Sequence, residues 1–95
     1  MKVKIRYLGP VRMILNKKEE EVEVPIKATL ADLMSKLVGL YGDSFKEEVF
    51  EPDGKIRDGL VVTINGIAVG QLGGTKMRLN EGDAITLLPF FAGGG

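Results

Sequence analysis

An α+β domain, with a mixed sheet of four to five strands and one main helix packed across it, is predicted by three features of the chain. Apolar and charged residues alternate at the N-terminus, a Leu and Met pattern of helical period follows Thr29, and a β-branched run after Gly59 ends in Asn65-Gly66. With 95 residues the chain makes one domain with a thin core and little room for an enclosed active site.

Val3, Ile5 and Tyr7 alternate with Lys2, Lys4 and Arg6, the period of a half-buried strand over residues 2 to 8. Gly9 and Pro10 break that strand. After a stretch containing Val11, Met13, Ile14 and Leu15, the turn-like Asn16-Lys17-Lys18 leads into a second strand from Glu19 to Pro25, in which Val22 and Val24 alternate with Glu21 and Glu23. The two strands are expected to form a hairpin. The charge run Lys17-Lys18-Glu19-Glu20-Glu21 reads as a solvated loop and sheet edge, not as a docking site.

Thr29 with Asp32 three residues on has the spacing of a capping box, so a helix is expected from Leu30. Leu30, Leu33, Met34, Leu37 and Val38 form its apolar stripe, Asp32, Ser35 and Lys36 face outward, and Gly39 or Gly42 ends it. Ser44 and Glu47 suggest a further helical turn that buries Phe45 and Val49, before the turn Pro52-Asp53-Gly54. Leu60 to Ile64, the tight turn Asn65-Gly66 and Ile67-Ala68-Val69 predict another hairpin. The glycines of Gly70 to Lys76 do not make a phosphate-binding loop. Such a loop needs Gly just before Lys and Ser or Thr after it, whereas here Thr75 precedes Lys76 and Met77 follows. A turn over Leu79 to Asp83 leads into a last strand, Ala84 to Leu88, ended by Pro89.

Composition narrows the function. The formal net charge is zero, which argues against nucleic acid as a partner, because phosphate binding needs a surplus of Lys and Arg on one face. No long apolar stretch suggests a signal peptide or a membrane span, so no membrane partner and a cytoplasmic location are expected. Cysteine and histidine are both absent, which removes thiol nucleophiles, disulfides, the usual zinc sites and the commonest general base. An enzyme of conventional design is not expected, and any sulfur carried would sit on the terminal carboxyl carbon.

The ending points the same way. Pro89, Phe90, Phe91, Ala92, Gly93, Gly94 and Gly95 follow an apolar strand. Glycines lack a Cβ and can thread a channel too narrow for other residues. Residues 89 to 95 reach roughly 20 Å when extended, enough to enter a partner's active site from outside. The expected division is therefore a body over residues 1–88 and a flexible, Gly-rich reactive tail over 89–95. Gly95 carries the reactive carboxylate with Gly94 beside it. Pro89, Phe90, Phe91, Ala92 and Gly93 are candidate partner contacts, with one of the two Phe side chains expected to be buried and the other exposed.

Strand, strand, helix and further strands in one mixed sheet make the β-grasp arrangement, and here the chain resembles the ubiquitin-like sulfur carriers. These include the small subunit of molybdopterin synthase (MoaD-like) and the thiamine-pathway carrier (ThiS-like). The resemblance covers the whole chain. It is closest to the molybdopterin synthase small subunit and the archaeal ubiquitin-like small modifiers, and it concentrates in Asn65-Gly66, in Leu79-Asn80-Glu81-Gly82-Asp83-Ala84-Ile85 and in the ending. Pro89, Ala92 and a Gly-Gly pair match the family's terminus, while Phe90 stands where a second proline is usual and Phe91 where a valine is common. Aligned through Ala92, the family's diglycine falls on Gly93-Gly94 and Gly95 is one residue more; Gly95 is taken as the reactive end.

The resemblance implies a carrier rather than an enzyme, at most a non-catalytic subunit. An E1-like adenylating enzyme would join the terminal carboxylate to AMP. ATP and Mg would be bound by that partner, with no cofactor on this chain. A persulfide donor protein would supply sulfur, and the large subunit of molybdopterin synthase would receive it for molybdenum or tungsten cofactor synthesis. Other endpoints share the activation step: conjugation to lysines of target proteins, or thiamine or tRNA thiolation. An inert β-grasp interaction domain is the remaining alternative.

Overall fold

The computed structural model describes residues 1–89. Strands β1 (Lys2–Tyr7), β2 (Glu19–Glu23), β3 (Leu60–Ile64), β4 (Ile67–Ala68) and β5 (Ala84–Pro89) form one mixed sheet in the order β2-β1-β5-β3-β4. Helices α1 (Pro10–Leu15), α2 (Leu30–Tyr41) and α3 (Asp43–Val49) share one hydrophobic core with it. β5 lies in the middle, parallel to β1 and antiparallel to β3, so the strand that leads to the C-terminus is held on both sides.

The predicted hairpin between the first two strands is antiparallel as expected, but α1 joins them instead of a tight turn. The helix begins with Pro at its first position, where the missing N–H is one the helix leaves unpaired anyway, and stops at Asn16 in the left-handed region. Six residues are too few to show a period, so the local pattern hid it. Val11 is buried, whereas Met13 is 82% exposed.

Helix α2 starts as predicted. Asp32 donates its backbone N–H to the Thr29 hydroxyl, and Thr29 donates its own to the Asp32 carboxylate. Gly42 rather than Gly39 ends it, with φ of +78°. Leu30, Leu33, Met34 and Leu37 are fully buried and Val38 half-buried. Burial of each such leucine is worth about 1.5–3 kcal/mol. Phe45 and Val49 of α3 are buried as foreseen.

The Asn65-Gly66 turn takes φ of 52° and 85°, the geometry of a type I′ hairpin. Its asparagine also reaches across to the start of β5. Asn65 accepts from the Ala84 N–H at 3.0 Å and donates its side-chain amide to Asp83 at 3.0 Å. Asp83, only 8% exposed, accepts in addition from the Asn80 N–H at 2.7 Å. The Leu79-to-Ile85 motif is thus a lock that sets where β5 begins. Asp83→Ala orphans the Asn65 amide and the Asn80 N–H; a loss of about 2–3 kcal/mol is expected in urea unfolding.

Candidate functional site

Of the residues that the sequence singles out, Pro89 is the one that the structure describes. Phe90, Phe91, Ala92, Gly93, Gly94 and Gly95 lie outside the described residues, and with them the question of which Phe is buried. Pro89 is the last residue of β5, paired with Leu60, one position beyond the expected end of the strand. The pairing explains why proline fits there. Asn65 donates to the Ala84 carbonyl, and bonded pairs alternate along an antiparallel ladder, so Pro89 and Leu60 form a non-bonded pair in which no N–H toward β3 is needed.

On its other side Pro89 meets Gly9. The last rung between the two strands is Leu8 N–H to the Leu87 carbonyl at 3.0 Å, after which the chain turns away at Gly9 with φ of +66°. A Cβ on Gly9 would stand 2.9 Å from Pro89 Cγ and 3.0 Å from Cδ. Glycine is therefore required both by backbone conformation and by the proline ring. A small cleft of about 240 Å³ opens beside this contact, lined by Leu8, Val11, Arg57, Leu60 and Pro89 among others. Arg57 is fixed there by its Nε bond to the Glu47 carbonyl at 2.6 Å and by its ion pair with Glu51 at 3.1 Å.

The face of the sheet opposite the helices flanks the same root. Ile85 and Leu87 are buried under the helices, so Ala84, Thr86 and Leu88 turn outward by alternation. Register places Thr63 beside Thr86 and Val61 beside Leu88, with Lys4 and Arg6 of β1 next to Ala84 and Thr86, and Glu19 and Glu21 of β2 beyond. The result is an uncharged centre bordered by a basic and then an acidic row. Period-two alternation was legible in β1 and β2, but which strands lie side by side was not.

Behind β1, the charge run read as a solvated edge hides one structural carboxylate. Glu20 accepts from the Tyr7 hydroxyl at 2.6 Å and from the Tyr41 hydroxyl at 2.5 Å, while Lys17 pairs with it at 3.4 Å and donates to Tyr41 at 3.0 Å. Burial pushes the Glu20 carboxyl up, but the bonds from Tyr41 and Tyr7 and the Lys17 ammonium outweigh it and hold it below the usual 4.5. Burial, then the Glu20 carboxylate, push Tyr7 well above its ordinary value. The network ties β1, β2 and α2 together.

Among the described residues no group of three or more His, Cys, Asp or Glu could hold a metal ion, and no helix is long and apolar enough to cross a membrane.

Comparison with known proteins now bears on this arrangement. A match to the ThiS family runs over residues 5–94. The chain belongs to the ThiS family. Within ubiquitin-like proteins this is a group of small sulfur carriers and modifiers. The chain is 30% identical over 94 residues to small archaeal modifier protein 3 of Haloferax volcanii, covering 99% of this chain and 100% of the relative. The crystal structure of SAMP1 from Haloferax volcanii superposes with a TM-score of 0.83 at 24% identity, covering 98% of this chain and 99% of that one. The putative molybdopterin converting factor, subunit 1, of Pyrococcus furiosus gives a TM-score of 0.76 at 28% identity, over 96% and 99% of the two chains. These likenesses identify the β-grasp fold expected from the order of elements.

Proposed function

We propose that this chain is a sulfur carrier of the molybdopterin synthase small-subunit kind, activated at its C-terminal glycine. The likeness that supports this reading most is the near full-length one to the putative molybdopterin converting factor subunit of Pyrococcus furiosus. In this reading a carboxylate oxygen of Gly95 attacks the α-phosphorus of ATP in an E1-like partner, pyrophosphate leaves, and an acyl adenylate forms. ATP and Mg belong to that partner. The outer sulfur of a donor protein's persulfide attacks the acyl carbon and AMP leaves with the bonding electron pair. A thiol of the donor then cleaves the S–S bond, giving a disulfide on the donor and a thiocarboxylate on the tail. Pro89, Phe90, Phe91, Ala92 and Gly93 would contact the partner as the tail threads its channel, and the large synthase subunit would receive the sulfur. The absence of cysteine fits a protein whose cargo sits on its own backbone terminus.

A second reading has its own support. The relative with 30% identity is a modifier, so the activated carboxyl could instead be passed to a lysine amine to form an isopeptide bond. Intact-mass spectrometry of untagged protein from its native cells separates the two. Exchange of one oxygen for sulfur at the terminus, lost on deletion of the final glycines, is expected for the carrier. An unmodified mass together with glycine remnants on lysines of other proteins would select the modifier, and neither signal would overturn both. The same mass tells whether the reactive end is Gly95 or Gly94.

The outer sheet face is the proposed docking surface of the activating enzyme. Leu88→Asp puts a charge in its uncharged centre without touching the core. A fall in affinity of about tenfold or more is expected, measured by titration calorimetry, with folding retained.

A further inference from the structure

The small cleft beside Pro89 combines an apolar lining with acidic groups. Leu8, Val11, Leu60 and Pro89 supply the apolar part, and Val11 also belongs to the core. Among the described residues of the lining, Glu48, Glu51 and Asp58 set three carboxylates against the one guanidinium of Arg57, which already pairs with Glu51 at 3.1 Å. The cleft therefore disfavours an anion. Its volume of about 240 Å³ takes one phenyl ring and not two, since a cavity of roughly 150 Å³ already holds benzene.

Strand β5 runs along this cleft. Ile85 and Leu87 face the helices, and Pro89, next on that side, lines the cleft. The strand opposite, β3, begins at Leu60, whose N–H closes a turn on the Arg57 carbonyl at 3.0 Å. Beyond Leu60, therefore, a turn and not a strand lies next to the line of β5. The chain runs on from Pro89 into Phe90, Phe91, Ala92 and three glycines.

We propose that this cleft seats the ring of the chain's own Phe91 while the protein is free of partners. Continued by two residues, the alternation of β5 carries Phe91 to the side of Leu87 and Pro89, and Phe90 to the side of Thr86 and Leu88. Two residues of extended chain span about 7 Å, so ring and cleft are neighbours with no loop between them. A segment so tethered meets the cleft at an effective concentration on the order of millimolar, ahead of an apolar molecule free in solution. The carboxylates then sort the tail: the uncharged ring enters, and the terminal carboxylate of Gly95 is turned away. With the ring seated, residues 92–95 alone are free to reach, roughly 13 Å rather than roughly 20 Å. A partner whose reactive centre lies deeper has to lift Phe91 out first, which makes the contact a latch on the tail, and Phe90 is the ring left beside Leu88 on the outer sheet face. The latch belongs to the free protein and holds whichever nucleophile the tail later meets.

The test is NMR on the full-length protein with labelled methyl groups and assigned Phe rings. Nuclear Overhauser contacts are expected from the Phe91 ring to the methyl groups of Val11 and Leu60, both in the cleft lining, and none from Phe90. Phe91→Ala should shift those methyl resonances and lower the thermal midpoint by about 4 °C or more, whereas Phe90→Ala should leave the methyls in place and cost less than about 2 °C. A mixture of methyl-labelled protein with protein labelled only in its Phe rings separates the chain's own ring from that of a second copy; no contact is expected between the two. Contacts made by Phe90, contacts between molecules, or an empty cleft with neither ring near it would each overturn the proposal. None of these readouts involves the terminal carboxylate, so the latch and the carrier reading fail separately.

Discussion

Gly9→Val is expected to lower stability by about 2–5 kcal/mol, the sum of a β-branched residue forced into the left-handed region and an overpacked contact. The strain is local, but the displacement is not. The new Cβ would lie within 3.0 Å of the Pro89 ring, and either the β1-to-α1 turn or the end of β5 has to move. β1 is held by β2 and by β5, whereas Pro89 has no N–H to anchor it, so the end of β5 is the part that yields. Thermal unfolding should show the loss as a drop of roughly 10 °C or more for a domain of this size. The Leu60 and Leu88 amides should report a shifted strand end by NMR. Gly9→Ala, with the same φ and a smaller side chain, should fall between the two. Equal stability of all three proteins would show that the Gly9–Pro89 contact is not tight.

Glu20→Ala should cost about 1–3 kcal/mol, because the Tyr7 hydroxyl is buried and loses its acceptor. Glu20→Gln keeps an acceptor and should cost less, which separates the loss of a partner from the loss of a charge. The same network sets the pH range of the fold. Glu20 has a depressed folded value, so its contribution is present above 4.5 and is lost as pH falls through the folded value. Tyr7 is raised from 10.0, so its contribution is complete below pH 10 and is lost as pH climbs above it. Stability should therefore be level between about pH 5 and 9 and fall on both sides, and the acid limb should flatten in Glu20→Gln. Urea midpoints taken across that range check both limbs; an unchanged acid limb in Glu20→Gln would assign it to other carboxylates.

The parts of this protein governed by near neighbours along the chain were legible without a structure. Thr29 and Asp32, three residues apart, announce the start of α2. Asn65-Gly66 announces a hairpin because few other pairs accept positive φ at both positions. The alternation in β1 and β2 gives their inward faces, the missing Cys and His exclude most side-chain chemistry, and the Gly-rich ending with the Leu79-to-Ile85 motif carries the family.

What depended on the path of the chain could not be read locally. Helix α1 is shorter than two turns, so its period never declares itself; it forms because Pro10 can start it and Val11 reaches the core. Glu20 looks like any surface carboxylate until folding brings Tyr7 and Tyr41 to it from 13 and 21 residues away. Asp83 reads as a turn residue, yet it holds Asn65 across the sheet. The central place of β5 and the need for glycine opposite Pro89 follow from which strands lie together. Sequence by itself determined the strands, the two later helices, the excluded chemistry and the family, since these rest on backbone preference and composition. Tertiary structure decided strand order, the Glu20–Tyr7–Tyr41 network and the contact of Gly9 with Pro89, since each arises from groups far apart in the chain that meet only when the core closes.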